Sequence, residues 1–203
     1  MPDSSLKLKF SQREPLLGLF FKTPSPMVSE VLAQTELDVI VLDAEHAPFD
    51  PLSADQCISI FRLANKPVLV RPPVARPEWI QYALDSGADG ILAPHIYSAQ
   101  KAEQLVSAAY YSKGRGFAGT TRAADFGQTD MASYIDRANR NTTVIAMIED
   151  LEAVDRLDEI FSVQGIDGFF IGRADLASAL GESSVLSDRS IALCEKIVEA
   201  AQR

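Results

Sequence analysis

Short apolar runs recur along this chain at intervals of roughly 20–30 residues, and helix-like stretches lie between them. The runs are LLGLFF at 16–21, VIVL at 39–42, PVLV at 67–70, GILA at 90–93, VIAMI at 144–148 and GFFI at 168–171. Their continuous rather than alternating hydrophobicity is typical of parallel strands that helices cover on both faces. The pattern predicts repeated strand–helix–strand units, in either a (β/α)8 barrel or a doubly wound sheet.

The segment from Tyr111 to Gln128 interrupts this pattern. It contains KGRGFAG and TTRAADFG, in which glycines and arginines take the place of an apolar run, so we assign no strand there. No GxGxxG sequence follows the first apolar run, which disfavours the dinucleotide-binding form of a doubly wound sheet. The periodicity alone remains compatible with both architectures.

The composition places the chain among globular proteins and narrows its partners. A chain of 203 residues, 47% hydrophobic and 23% charged, suits one domain with a sizeable core. The net charge of −9 disfavours nucleic acid and anionic membranes as partners, and no apolar run is long enough to cross a bilayer. We find no signal-peptide pattern and interpret Cys57 and Cys194 as buried free thiols, so we expect a cytoplasmic protein.

Polar and charged residues cluster after the apolar runs. These residues are Asp43, Glu45, His46, Arg71, His95, Glu149 and Asp175. In a (β/α) barrel all these positions lie at the face formed by the carboxyl ends of the strands, where active sites are built. The alternative is that each of these residues only begins a loop. This alternative explains any single residue, but it explains the whole set poorly.

Glu149 and Asp175 follow strands that one helix separates, so a barrel would bring them close together. Two carboxylates at one site repel each other unless a cation lies between them. Oxygen ligands suit Mg²⁺ or Mn²⁺, with water and substrate oxygens completing an octahedron. The alternative is that both residues stabilise the amino ends of the helices that follow them.

Asp43 and His46 form a second candidate pair, because the chain has two histidines and this one follows an acidic strand end. Asp43 is expected to fix the tautomer of His46, which would act as a general base. Arg71, between a buried strand and two prolines, is expected to stabilise an enolate or carboxylate oxygen. The alternatives are a histidine that stacks locally in a loop and a structural ion pair. We leave His95 unassigned.

Several of these stretches resemble one known family. VIVLDAEHAPFD, PVLVRP, ADGILAPHI, YYSKGRGFAG, VIAMIED and GIDGFFIGRADLASALG look like the HpcH/HpaI aldolase family of the pyruvate/phosphoenolpyruvate barrel superfamily. The resemblance covers residues 16–181 in order. Its most specific parts are D-x-E-H-x-P and G-x-D-G-x-F-I-G-x-A-D-L.

The resemblance implies a (β/α)8 TIM barrel, with residues 1–203 forming one domain. It implies a carbon–carbon lyase, a class II pyruvate aldolase that reversibly cleaves a 4-hydroxy-2-keto acid into pyruvate and an aldehyde. The family is commonly oligomeric, so we expect a homo-oligomer, a trimer or a hexamer, whose ligands are the small 2-keto acid and aldehyde.

By the same resemblance, Glu149 and Asp175 bind a divalent metal, Mg²⁺, Mn²⁺ or Co²⁺, which chelates the carboxylate and keto oxygens of the pyruvate part. Arg71 corresponds to the residue that stabilises the enolate, and Asp43 and His46 correspond to the pair that moves the proton. A metal supplies an electron sink without a Schiff-base lysine. We accordingly expect no lysine at a strand end near the carboxylates.

Two features depart from the family pattern. No eighth strand is visible before Arg203, and a barrel that lacks its last strand–helix unit exposes two sheet edges. Either the chain is a fragment, or a neighbouring subunit covers the gap, or the barrel is open. Arg173 replaces the usual proline of G-P-A-D-L, and this extra cation either binds a substrate carboxylate or faces solvent. We assign Gly172, Arg173 and Ala174, together with Arg71, to substrate binding.

Two other functions remain open at this point. One is an acyl-CoA lyase similar to the citrate lyase β subunit or malyl-CoA lyase, which competition by free CoA would reveal. The other is a non-catalytic barrel that binds a keto acid, which metal and pyruvate would stabilise without turnover.

Overall fold

Six strands form one parallel sheet in the order of the chain. They are β1 (Gly18–Phe21), β2 (Val39–Asp43), β3 (Val68–Arg71), β4 (Gly90–Ala93), β5 (Thr143–Ile148) and β6 (Gly168–Ile171). The computed structural model describes residues 6–203, and over these residues the strand order never reverses. The doubly wound alternative is therefore wrong, because that fold requires a reversal of strand order.

The sheet has the strand order of a partial (β/α) barrel, with β1 and β6 as its two edges. Phe20 of β1 nevertheless contacts Phe170 of β6 edge to face, with ring centroids 5.6 Å apart. The six described strands coincide with the six apolar runs. They are two fewer than a (β/α)8 barrel contains, and one fewer than a barrel that lacks only its last strand–helix unit. Within the described chain, the unassigned segment after the fourth strand contains the short 3-10 helices Tyr111–Lys113 and Asp125–Gly127, and no strand.

Helices connect the strands and cover the sheet. They are α1 (Leu6–Ser11), α2 (Pro26–Ala33), α3 (Pro51–Leu63), α4 (Pro77–Asp85), α5 (Ala99–Ala109), α6 (Met131–Asn141), α7 (Leu151–Val154), α8 (Leu157–Phe161), α9 (Arg173–Ala179) and α10 (Asp188–Gln202). Ser25 caps α2 by accepting a hydrogen bond from the backbone N–H of Val28, and Pro26 takes the first helical position. A break at Asp155 and Arg156 separates α7 from α8.

Successive strand residues point to opposite sides of the sheet and so build two apolar layers. The larger layer packs residues such as Ile40 and Leu42 against the helices. The smaller cluster consists of Leu6, Val39, Val41, Leu69, Leu92 and Ile145. Because Leu6 belongs to α1, this unpredicted helix packs against the side of the sheet that the connecting helices do not cover.

A buried polar network fastens α1 to the rest of the protein. The Lys7 ammonium donates to the hydroxyl of Tyr110 over 2.7 Å and lies 2.9 Å from a carboxylate oxygen of Asp167. Burial and the Asp167 carboxylate raise the pKa of Tyr110 well above its ordinary value, so the phenol stays protonated. Asp167 directly precedes β6, so the network holds α1 at the amino ends of the strands, opposite the candidate site.

The two cysteines differ in burial. Cys57 is buried as predicted, but Cys194 is only partly buried, because it lies on α10 at the surface; both are free thiols. Among the described residues, no helix has the length and hydrophobicity needed to cross a membrane.

Candidate active site

Charged and titratable side chains follow all six strands at their carboxyl ends. They are Lys22 after β1, Asp43 and Arg71 at the last positions of β2 and β3, His95 after β4, Glu149 after β5 and Asp175 in the first turn of α9. In a parallel sheet the carboxyl ends of all strands lie at the same end of the sheet. The contacts described below join residues of neighbouring strands at this carboxyl end.

Asp43 and Arg71 form a buried, two-pronged ion pair. Arg71 Nε donates to Asp43 Oδ1 over 2.9 Å, and Nη2 donates to Oδ2 over 2.7 Å. The two residues lie opposite each other in the register of β2 and β3, which brings the fork of the guanidinium to the carboxylate. Burial alone would raise the pKa of Asp43, but the hydrogen bonds and charge of Arg71 hold that pKa below its ordinary value.

The structure differs from the prediction that Asp43 orients the imidazole of His46. Asp43 Oδ1 instead accepts hydrogen bonds from the backbone N–H groups of Glu45 and His46, at 3.3 and 3.1 Å. The ring of His46 is about half exposed, and its Nε2 lies 3.7 Å from Glu45 Oε2. Asp43 is occupied by Arg71 and the loop backbone, so it shapes the loop that carries the imidazole.

The remaining surroundings of Arg71 hold its guanidinium in place. Its Nη1 lies 3.3 Å from Glu45 Oε2 and 3.9 Å from the sulfur of Met147. Its guanidinium carbon lies 4.9 Å from the centre of the Phe20 ring, within the range of a cation–π contact. Nε and Nη2 are taken up by Asp43, so Nη1 is the nitrogen best able to meet a ligand.

Glu149 is a buried carboxylate at the end of β5, with 3% of its surface exposed. Its Oε1 accepts the backbone N–H of His95 over 2.8 Å. A Cβ on Gly172 would lie 2.5 Å from the Glu149 Cβ, so a residue without a side chain lets the two strands approach. Burial, followed by the nearby charges of Glu45 and Asp175, raises the pKa of Glu149, although the hydrogen bond and charge of His95 oppose the rise.

His95 was left unassigned from the sequence, yet its imidazole lies among three carboxylates. Nδ1 is 3.2 Å from both oxygens of Asp150 and 3.6 Å from Glu149 Oε1, and Nε2 is 3.4 Å from Glu45 Oε1. Burial disfavours the charged imidazole, but the three acids outweigh it and raise the pKa of His95. The sequence signal for His95 is its position two residues after β4, at the same end of the sheet as the other candidate residues.

Lys22 is a cation at the end of β1. It follows β1 directly, and its Nζ lies 3.4 Å from Asp43 Oδ2. This contact is with Asp43 and not with Glu149 or Asp175, the predicted metal ligands. The expectation that no lysine lies at a strand end near those two carboxylates stays a prediction.

Gly172, Arg173, Ala174 and Asp175 lie at the start of α9. Asp175 is exposed, and it is close enough to Glu149 for its charge to affect the pKa there. The Arg173 guanidinium donates to the carbonyl of Val185 over 2.7 Å. The structure thus gives Arg173 a contact with the loop before α10, and its assignment to substrate binding stays a prediction.

The donor set fits a divalent cation that keeps some of its own water. Among the described residues, no group of three or more His, Cys, Asp and Glu side chains is arranged to hold a metal. Glu149 and Asp175 supply two carboxylates, and the charge of a third, Glu45, acts on Glu149. Glu45 Oε2 accepts no hydrogen bond within the described chain, although it lies 3.3 Å from Arg71 Nη1. Such an excess of oxygen acceptors suits Mg²⁺ or Mn²⁺, which commonly bind one or two carboxylates plus water and substrate.

Comparison with known proteins agrees with this geometry. The family described as HpcH/HpaI aldolase/citrate lyase matches residues 16–203. A hydroxypyruvate/pyruvate aldolase from Roseovarius nubinhibens is 35% identical over 206 residues, covering 100% of this chain and 78% of that protein. A 5-keto-4-deoxy-D-glucarate aldolase from Escherichia coli is 34% identical over 181 residues, covering 88% of this chain and 70% of that protein.

A solved structure shows the same arrangement of elements. The crystal structure of an HpcH/HpaI aldolase from Desulfitobacterium hafniense superposes with a TM-score of 0.91 at 30% identity, covering 98% of this chain and 78% of that one. The family, the relatives and the fold therefore agree: the chain belongs to the HpcH/HpaI aldolase/citrate lyase family and is a carbon–carbon lyase.

Proposed function

We propose that this protein is a metal-dependent, class II pyruvate aldolase that reversibly cleaves a 4-hydroxy-2-keto acid into pyruvate and an aldehyde. One observation carries the proposal. The buried and rigidly held guanidinium of Arg71 lies at the same end of the sheet as the buried carboxylate of Glu149. The guanidinium suits a substrate oxygen that becomes negative, and the carboxylate suits a cation that binds the same substrate.

Glu149 and Asp175 would hold the metal, Mg²⁺, Mn²⁺ or Co²⁺. When bound, such an ion supplies Lewis-acid polarisation of the keto group. The buried position of Glu149 supports this role, because a carboxylate with a raised pKa and acidic neighbours gains from a nearby cation. We propose that Gly172, Arg173 and Ala174 contact the carboxylate end of the keto acid beside it.

Arg71 would donate a hydrogen bond from Nη1 to the oxygen on which enolate charge develops. Asp43 would act by holding the other two guanidinium nitrogens and the backbone of His46. The half-exposed imidazole of His46 would exchange a proton with the 4-hydroxyl and with solvent. Asp43 is thus a positioning residue, and His46 is the proposed base.

The proposal also covers the keto-acid ligand and the assembly of the protein. The curated relatives are named for pyruvate, hydroxypyruvate and a deoxy-keto sugar acid, which supports a small 2-keto acid as ligand. We propose that residues 1–203 act as one domain, that the six strands are the first six of an eight-stranded barrel, and that the protein is a homo-oligomer. The open edges of β1 and β6 support the last two points.

The test is pyruvate release from 4-hydroxy-2-keto acids by protein treated with a chelator and then supplied with Mg²⁺, Mn²⁺ or Co²⁺. We expect activity only with metal, and a loss of about 100-fold or more in Glu149→Gln. The matched control is Glu152→Gln, an exposed acid paired with Arg156 on the next turn, which should keep full activity. Turnover without metal, or full activity in Glu149→Gln, would exclude the mechanism.

A further inference from the structure

A cavity of about 610 Å³ lies at the end of the sheet opposite the candidate active site. It is open to solvent on one side and lined by the end of α3, the turns that lead into β3 and β4, and the last turns of α6. Its polar lining includes Arg62, Asn65, Lys66, Arg115, Arg137 and Asn141. Four cations around one cavity are unexpected in a chain of net charge −9.

Two of these cations share one counterion. Arg62 and Arg137 both bind the carboxylate of Asp125, at 2.8 and 2.7 Å. One carboxylate neutralises only one of the two guanidinium groups. Arg62 also lies in the last turn of α3, where it offsets the partial negative charge of the helix end. Arg137 also donates to the carbonyl of Ala123 over 3.3 Å and lies 5.8 Å from the centre of the Tyr134 ring, but neither of these partners carries a full negative charge.

Arg115 supplies a donor that lacks an acceptor. It is buried, it pairs through Nη2 with Asp85 over 2.6 Å, and its guanidinium lies 4.4 Å from the centre of the Tyr111 ring. Its Nε is buried and has no hydrogen-bond partner in the described part of the chain. A buried donor without a partner is unfavourable, so a negative charge close to this guanidinium would stabilise it.

The other polar groups divide into free and occupied donors. The Asn65 and Asn141 amides make no side-chain hydrogen bond with any described residue. The Lys66 ammonium is occupied by the carbonyls of Thr35 and Leu37, at 2.6 and 2.7 Å. Asp89 is the acidic residue of the described lining, and burial raises its pKa, which weakens its opposition to an anion.

We propose that this cavity is a binding site for a small oxyanion, a phosphate or carboxylate group of a metabolite. Arg115 and Arg137 would supply charge-assisted hydrogen bonds, and Asn141 would supply a neutral one. The site lies away from the proposed metal and substrate residues, so it is independent of the proposed reaction. A bound anion would tie α6 and the segment after α5 to the sheet.

The test is thermal unfolding and calorimetric titration of metal-free protein with inorganic phosphate, and separately with malonate as a dicarboxylate. We expect at least one of these probes to give a saturable rise in Tm, because a ligand that binds only the folded state stabilises it. In Arg137→Gln and in Asn141→Leu the affinity for that probe should fall by about tenfold or more. Preference for one probe identifies the oxyanion class.

The matched control is Arg140→Gln. Arg140 lies on the same helix but is exposed and pairs with Asp136, outside the cavity. It should bind the probe as the unsubstituted protein does. Chloride at equal ionic strength should give no comparable rise. The proposal is overturned if neither probe gives a saturable rise, if chloride reproduces it, or if Arg137→Gln and Asn141→Leu bind as well as Arg140→Gln.

Discussion

At the scale of single residues, the Asp43–Arg71 pair is the most consequential contact of the site. A buried ion pair adds little stability relative to a good apolar pair, but breaking it leaves an uncompensated charge. Asp43 also accepts two backbone N–H groups of the loop that carries His46. One carboxylate therefore determines both the direction of the guanidinium and the path of the loop.

We expect Asp43→Asn to lower the free energy of unfolding by about 3–5 kcal/mol at pH 7, because Arg71 loses its partner. The pKa of Asp43 is lower in the folded protein than its ordinary value of 3.8, so its stabilisation is present above that pH. It is lost as the pH falls through the folded-state pKa. The difference in the free energy of unfolding between Asp43→Asn and the unsubstituted protein, measured by urea unfolding, should therefore become smaller below about pH 4.

The control for this substitution is Asp136→Asn. Asp136 forms an exposed pair with Arg140 one turn along α6, and such pairs contribute at most about 0.5 kcal/mol. Equal losses in the two variants, or a gap that is constant down to pH 2, would contradict the role given to Asp43.

The sequence predicted which residues lie at the strand ends but not how they pair. Asp43, Arg71 and Glu149 follow from the rule that the carboxyl ends of parallel strands share an edge. The sequence prediction pairs the imidazole of His46 with Asp43, three residues earlier, whereas the register of β2 and β3 places Arg71 against that acid. Side-chain pairing across strands depends on register, which the runs themselves do not specify.

At the scale of elements, β4 and β5 leave no room for a side chain at the start of β4. Gly90 lies opposite Thr143, and a Cβ on Gly90 would lie 2.0 Å from the Thr143 carbonyl oxygen. Backbone cannot move aside as a flexible side chain does. The contact explains why β4 begins with glycine.

Gly90→Ala should lower the free energy of unfolding by about 3 kcal/mol or more, because the added methyl forces two strands apart. Gly181→Ala is the comparison. Gly181 has a φ of 73° but open space around it, so only backbone strain of about 1–2 kcal/mol is expected. Denaturant unfolding of both variants gives the order, and an equal or larger loss at Gly181 would contradict the steric explanation.

The elements that the sequence missed are those with the least periodic signal. The strands are continuous apolar runs, and the sequence predicts all six of the described ones. Helix α1 has six residues, too few for a recurring apolar face, and it depends on Leu6 packing beside the strands and on Lys7 bonding Tyr110. Contacts between distant parts of the chain stabilise this helix, and a local pattern does not reveal them.

At the scale of the whole molecule, the proposed metal site concentrates negative charge. The raised pKa of Glu149 means that ionising this carboxyl is less favourable in the folded protein than in water. Substituting this carboxylate should therefore not weaken the metal-free fold. A bound cation should stabilise the folded protein instead.

We expect Mn²⁺ at about 100 times its Kd to stabilise the protein by about 2.7 kcal/mol, which raises Tm by about 5–10 °C for a chain of this size. Glu149→Gln should lose this shift, and its metal-free Tm should equal or exceed that of the unsubstituted protein. Glu152→Gln should keep the shift. The measurement is a thermal melt with and without chelator, and an undiminished Mn²⁺ shift in Glu149→Gln would rule out this carboxylate as a ligand.

The sequential strand order also affects folding during translation, because each new strand pairs with the strand before it. During translation, β2, β3 and β4 can each add to an edge that is already exposed when they leave the ribosome. The step to β5 is longer, because about fifty residues separate the start of β4 from the start of its partner. We expect nascent chains to populate a four-stranded intermediate in which β4 is an unpaired edge strand. Chaperone binding should be strongest at this stage.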